Sequence, residues 1–105
     1  MVVKLNNDTF RVQFIKEVES RRGGRTTITT ICKIFRYACN IEQEDGSTKP
    51  LWEAFSFGVA RQNPVDKYNH LIGKRVALQD ALYHFDRVER SVFAQRLEKE
   101  FDQSA

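Results

Sequence analysis

The chain has 105 residues, which fits one domain spanning residues 1–105, and 30% of them are charged. Its eight Phe, three Tyr and one Trp supply large apolar side chains, which exclude a disordered chain. No stretch approaches the roughly 18 unbroken apolar residues of a membrane span. The first ten residues lack the apolar core of a secretory signal. Together these features predict a cytoplasmic protein with no membrane partner.

The charge is distributed unevenly. The formal net charge is +3, but residues 1–40 carry +5, residues 41–60 carry −3 and residues 61–105 carry +1. The positive excess therefore lies in the amino-terminal part. Because phosphate contacts dominate nucleic-acid affinity, a nucleic-acid surface is expected there if the protein has one.

The first predicted element is a strand over residues 10–18, where apolar residues recur at even positions. The segment 21–25 follows, and its two adjacent glycines predict a hairpin. The run from Thr26 to Ile41 is rich in Thr, Ile, Phe and Tyr, which is typical of strands. Its apolar residues switch from even to odd positions, which predicts a bulge or a strong twist.

Cys32 and Cys39 are the only cysteines, and both fall within this second strand. Their even and odd positions place them on opposite faces, so they are poorly placed to bond to each other. We expect two reduced core thiols, which agrees with an intracellular setting.

A turn is predicted over residues 44–47, and a third strand runs from Leu51 to Arg61. This strand is expected to carry Leu51, Phe55, Phe57 and Val59 on one side. Three antiparallel strands in a meander are the simplest arrangement of these elements.

Helical patterning begins after Asn63-Pro64-Val65-Asp66, where Asn is an N-cap, Pro suits the first turn and Asp complements the helix dipole. A stripe of Gly73, Ala77 and Ala81 predicts close approach of this helix to its own sheet or, alternatively, a dimer seam. Asp86 either caps a second helix or lies at a bend in one continuous helix. The predicted fold is therefore α+β, with a three-stranded antiparallel meander followed by one long or two consecutive C-terminal helices packed on it.

No residue pattern indicates catalysis, a metal or a cofactor. His70 and His84 lie 14 residues apart without the paired ligands that zinc requires. The segment around Gly23-Gly24 lacks the lysine and the strand–loop–helix context of a phosphate-binding loop. We expect a protein that binds a partner and is not an enzyme.

The basic hairpin is the first candidate site. Arg21, Arg22 and Arg25 flank the glycine pair, and Lys33 and Arg36 extend the positive charge along the next strand. Arginine makes bidentate contacts to phosphate, so these five residues define a candidate nucleic-acid site. The alternative is a solvated turn whose charges favour solubility.

Trp52 is the second candidate. It lies on the face of its strand opposite Leu51, Phe55 and Phe57. If that face is exposed, Trp52 is a protein-binding anchor, because tryptophan is enriched at interface hot spots. If the helices cover that face, Trp52 belongs to the core.

One stretch, residues 58–82, resembles a pattern in small proteins of tailed bacteriophages. In that pattern a strand ending G-x-A runs through P-x-D to an aromatic residue and then to G-[KR]-[KR]-x-A-L and a second small residue. The matching residues here are Gly58, Ala60, Pro64, Asp66, Tyr68, Gly73, Lys74, Arg75, Ala77, Leu78 and Ala81. The pattern covers about a quarter of the chain and carries no catalytic residues.

The resemblance implies a phage context, in which small proteins bind and inhibit a host or defence protein, as anti-CRISPR proteins do, or bind nucleic acid. Many DNA-mimicking anti-CRISPR proteins are acidic, and this chain departs from them in its net charge of +3. The leading hypothesis is therefore protein contact through Trp52, the hairpin arginines and the outer sides of the helices. The expected partner is a host or defence protein or a nucleoprotein complex. The alternative is that residues 21–36 bind nucleic acid. A dimer of the protein is compatible with both hypotheses.

Overall fold

The protein is an antiparallel sheet with two helices on one face, as seen in a computed structural model that describes residues 1–20, 23–24, 26–62 and 70–104. For His70 and for residues 101–104 only the backbone is described. The predicted helix start at Asn63–Asp66 lies outside the described residues, as do Arg21, Arg22 and Arg25. The α+β prediction, with an antiparallel sheet followed by helices, is confirmed.

The sheet has four strands in the order β1-β2-β3-β4, so the prediction of three strands was wrong. They are β1 (Val2–Leu5), β2 (Asp8–Ser20), β3 (Thr26–Glu42) and β4 (Thr48–Arg61). The missed strand, β1, is only four residues long and pairs antiparallel with β2. Four residues are too few to display a period of two, and Asn6, with φ of 53°, turns the chain back at once.

Two irregularities interrupt the pairing of β3 with β4. Ile34 pairs with Ser56 and the next residue, Phe35, pairs with Ala54, so Phe55 is the extra residue of a bulge; Ala38 is skipped in the same way on β3. A bulge or a strong twist was predicted within residues 26–41, and the bulge at Ala38 confirms the first alternative. The bulge at Phe55 was not predicted and overturns the predicted side of β4, because Phe55 contacts the ring of Phe10 on the helix-covered face, whereas Phe57 and Val59 lie on the other face.

Two separate helices follow, α1 (His70–Ala81) and α2 (Arg87–Ser104). The break occurs where Asp86 caps α2. Its carboxylate accepts the Glu89 backbone N–H at 2.8 Å, and the Glu89 carboxylate accepts the Asp86 N–H at 3.1 Å. This reciprocal capping box satisfies N–H groups at the start of α2, which explains why α1 does not continue.

The core lies between the helices and one face of the sheet. α1 packs on β3 and β4, and α2 contacts α1 and β1. The even-numbered residues Phe10 and Val12 of β2 and Cys32 and Ile34 of β3 are buried beneath them. Because side chains alternate along a strand, the odd-numbered residues of β2, and those of β3 up to the bulge at Ala38, point to the opposite face.

Gly58 lets α1 approach the sheet closely. A Cβ at this position would overlap the carbonyl oxygen of Ala77 and the backbone nitrogen of Ala81, both of which are fully buried. Ala77 and Ala81 of the small-residue stripe therefore pack on the protein's own sheet, which is the first of the two alternatives raised by the sequence. Two hydrogen bonds hold the end of the helix there: Ser56 Oγ donates to the Ala81 carbonyl at 2.5 Å, and the Val59 N–H donates to Asp80 Oδ2 at 3.0 Å.

The two cysteines differ in environment, and the prediction that both are core residues was wrong for Cys39. Cys32 is fully buried, whereas Cys39 is exposed; neither forms a disulfide. Burial raises the pKa of the Cys32 thiol to about 12. Since the thiolate is the reactive form, Cys32 is protonated at neutral pH as well as shielded.

We expect iodoacetamide to modify one thiol of the native protein, Cys39, and to reach Cys32 only after denaturation. The measurement is the mass of the alkylated protein with time, and Cys39→Ser should remove the native reaction. Equal rates at the two cysteines would contradict the burial of Cys32.

Candidate functional site

The face of the sheet opposite the helices is not covered by any helix or strand of the described chain. We call it the open face. Ten residues of β2, β3 and β4 form its central part: Arg11, Gln13, Ile15, Ile31, Lys33, Phe35, Tyr37, Trp52, Phe57 and Val59.

An aliphatic row crosses the open face near its middle. Ile15 of β2 pairs with Ile31 of β3, which pairs with Val59 of β4, and all three are half-buried. Such cross-strand neighbours have Cβ atoms roughly 5 Å apart. Their side chains therefore cover one another and leave a continuous apolar strip facing outward.

Aromatic residues extend this strip along β3 and β4. Phe57 is 71% exposed and lies opposite Lys33, while Phe35 is half-buried on the next row. Tyr37 and Trp52 then pair edge to face, with ring centroids 5.8 Å apart. From Ile31 to Tyr37 the apolar band is roughly 20 Å long at the usual rise per strand residue.

Basic side chains lie beside the aromatic band. Arg11 pairs with Phe35 and Lys33 pairs with Phe57, and both basic side chains are exposed. At the hairpin end of the same face an acid and a base are found together, since Glu17 and Arg61 both pair with Thr29. The band therefore has a positive flank near its aromatic residues and mixed charge at one end.

The structure places Trp52 on the open face, where it is half-buried against Tyr37. The helices do not cover it, so of the two alternatives raised by the sequence, the exposed face is the one observed. Phe57, which the sequence analysis assigned to the opposite side from Trp52, shares this face because of the bulge at Phe55.

The structure does not bring Lys33 and Arg36 together. Lys33 is on the open face, whereas Arg36 lies on the helix-covered face, where its guanidinium bonds to Glu53 at 3.1 Å and lies 5.5 Å from the centroid of the Phe55 ring. The turn that carries Arg21, Arg22 and Arg25 lies outside the described residues apart from its two glycines. Of the five predicted basic residues, only Lys33 is therefore seen on the open face.

Four members of this surface were not predicted from the sequence: Arg11, Gln13, Ile15 and Ile31. The signal was present, because β3 has apolar residues at odd as well as even positions. A strand with two apolar faces needs cover on both, and the two helices supply it on only one.

Within the described ranges, no three His, Cys, Asp or Glu residues are grouped so as to hold a metal ion. Neither described helix is both long and apolar enough to cross a membrane. Comparison of the chain with protein-family models, curated proteins and solved structures gave no match.

Proposed function

We propose that this is a phage-type binding protein without enzymatic activity that modulates a host or defence protein, such as a defence nucleoprotein complex, by protein contact. The observation that carries the proposal is the open face, with its aliphatic strip and aromatic band. A patch of this kind on a small protein marks an interaction site.

Phe57 and Trp52 are the proposed anchors. Aromatic residues that combine large area with few rotatable bonds dominate binding energy at interfaces. Phe57 is 71% exposed and free to enter a pocket on the partner, while Trp52 is held in place by Tyr37. Arg11 and Lys33 then favour a partner whose apolar site has an acidic rim, as do the hairpin residues Arg21, Arg22 and Arg25.

Phe57→Ala is expected to weaken partner binding by about 30-fold, the effect of losing a hot-spot residue worth about 2 kcal/mol. Trp52→Ala should give a loss of similar size. The partner is first captured from host lysate with the wild-type protein as bait, and the affinity of each variant is then measured by surface plasmon resonance with the captured protein.

Tyr83→Ala is the matched control, because Tyr83 is an equally exposed aromatic residue, at 79%, on the helix side of the molecule. If Tyr83→Ala binds the partner as tightly as wild type and Phe57→Ala binds it more weakly, the results support the open face as the interface. The reverse result would place the interface on the helices, and capture of no protein by wild type would contradict the proposal as a whole.

Single-stranded nucleic acid is the second candidate partner, and a specific observation favours it. Phe57 and Phe35 lie on neighbouring rows beside the exposed cations Lys33 and Arg11. Aromatic platforms flanked by basic residues bind single strands by stacking bases and contacting phosphates. Lys33→Ala should then weaken oligonucleotide binding and reduce its salt dependence, and neutralising Arg21, Arg22 and Arg25 together should do so further. No binding of single-stranded RNA or DNA at low salt would exclude this candidate.

A further inference from the structure

A groove of about 510 Å³ lies between α1 and α2, on the side of the sheet away from the open face. This volume is within the range of small-molecule sites. Residues of both helices and of the segment joining them line it, among them Arg75, Gln79, Arg87, Arg90 and Glu98.

The floor of the groove offers little apolar surface. Leu78, Leu82 and Leu97 are 2%, 1% and 4% exposed, because they belong to the core below. A docked amphipathic helix buries an apolar face in its groove, and this floor provides almost none. The hydrogen bonds of the groove to a ligand must therefore come from its polar rim.

Three arginines dominate that rim, and one acid is present among the lining residues. Arg75 on α1 bonds through Nε to Glu98 Oε1 on α2 at 2.5 Å, and this hydrogen bond lowers the pKa of Glu98, so the pair neutralises itself. Arg87 and Arg90 have no ion-pair partner among the described residues.

The two unpaired arginines belong to the same surface of α2. They are three residues apart, a spacing at which like charges repel each other on a helix. The acids nearest to them in sequence, Asp86 and Glu89, are engaged in the capping box at 2.8 and 3.1 Å. Neither carboxylate forms an ion pair with Arg87 or Arg90, so the hydrogen-bond donors of both guanidinium groups have no partner among the described residues.

We propose that this groove binds a small molecule carrying a diphosphate group. The planar guanidinium group makes two parallel hydrogen bonds to phosphate oxygens, and Arg87 and Arg90 both line this groove from the same helix. Two linked phosphates offer one phosphate to each guanidinium group, and Gln79 of α1, which also lines the groove, supplies an additional amide donor. This site is independent of the proposed function, since it lies on the other side of the sheet.

The test is isothermal titration calorimetry of the whole chain with pyrophosphate at low ionic strength, repeated with citrate and with ADP. The double variant Arg87→Gln/Arg90→Gln should bind pyrophosphate at least about tenfold more weakly, since each charge-assisted hydrogen bond contributes roughly that factor. Both side chains are exposed, so the fold should be retained, and circular dichroism checks this.

The control is Lys49→Gln/Lys99→Gln, which removes the same charge from two exposed positions outside the groove. The site is supported if wild type and control both bind pyrophosphate and ADP and the arginine variant binds them more weakly. Equal loss in both double variants would show a nonspecific charge effect and overturn it. Citrate binding as tight as that of pyrophosphate would overturn the diphosphate assignment, and absence of pyrophosphate binding at millimolar concentration would overturn the site altogether.

Discussion

Replacing Phe93 by alanine is expected to lower the free energy of unfolding by about 3–5 kcal/mol, the usual cost of removing a buried phenyl ring. Phe93 of α2 is fully buried and contacts two other rings edge to face, with centroids 5.1 Å from Phe85 and 5.8 Å from Phe10. Phe10 belongs to β2 and Phe85 to the segment between the helices, so one ring joins three parts of the fold.

The measurement is urea denaturation followed by tryptophan fluorescence and by circular dichroism. Since small domains have a total stability of roughly 5–15 kcal/mol, this loss removes a large fraction of the stability and should lower the urea midpoint clearly. Val88→Ala is the control, because Val88 on the same helix is 74% exposed and its truncation should change stability by less than about 0.5 kcal/mol. If Phe93→Ala lowers the free energy of unfolding by less than about 1 kcal/mol, the rings of Phe10, Phe85 and Phe93 are not the centre of the core.

Gly58→Ala is expected to destabilise the protein by at least about 2 kcal/mol, although it adds a single methyl group. The new Cβ would overlap backbone atoms of Ala77 and Ala81, and a backbone cannot move aside as a flexible side chain can. α1 must shift off the sheet, which also strains the hydrogen bonds from Ser56 to Ala81 and from Val59 to Asp80.

Hydrogen exchange can separate this effect from general destabilisation. We expect the amides of α1 to lose more protection than those of α2 in the Gly58→Ala protein. Ala54→Val, an enlargement at an exposed position of the same strand, is the matched control and should leave both helices protected. Wild-type stability in Gly58→Ala would contradict the close contact between α1 and β4.

The sequence predicted those parts of the fold that depend on local patterns. The strands and their connections are marked by the period of two in residues 10–18, by the glycine pair after them and by the turn near Asp45. In that turn the Asp45 carboxylate accepts the Ser47 N–H at 2.9 Å. The small residues Ala77 and Ala81 predicted close packing of α1 on the sheet, because only small side chains permit it. β1 was missed because four residues are too short for a periodic signal.

The candidate site was predicted only in part. Trp52 was identified from its residue type, but its neighbours on the open face come from three different strands. A bulge at Phe55 moves Phe57 to the same face as Trp52, and a period of two cannot show where an extra residue is inserted. The separation of Lys33 from Arg36 follows from simple alternation along β3, yet it has meaning only once the covered face is known.

The amino-acid sequence by itself therefore determined the α+β class, the order of strands before helices and the turn positions, since these depend on propensities and spacing within a few residues. Tertiary structure alone decided which face of the sheet the helices cover. That choice depends on long-range packing, in which the lack of a side chain at Gly58 lets α1 pack closely on β4 and the ring of Phe93 on α2 contacts Phe10 of β2. It leaves the aromatic band exposed and brings Arg75 of α1 into the same groove as Arg87 and Arg90 of α2.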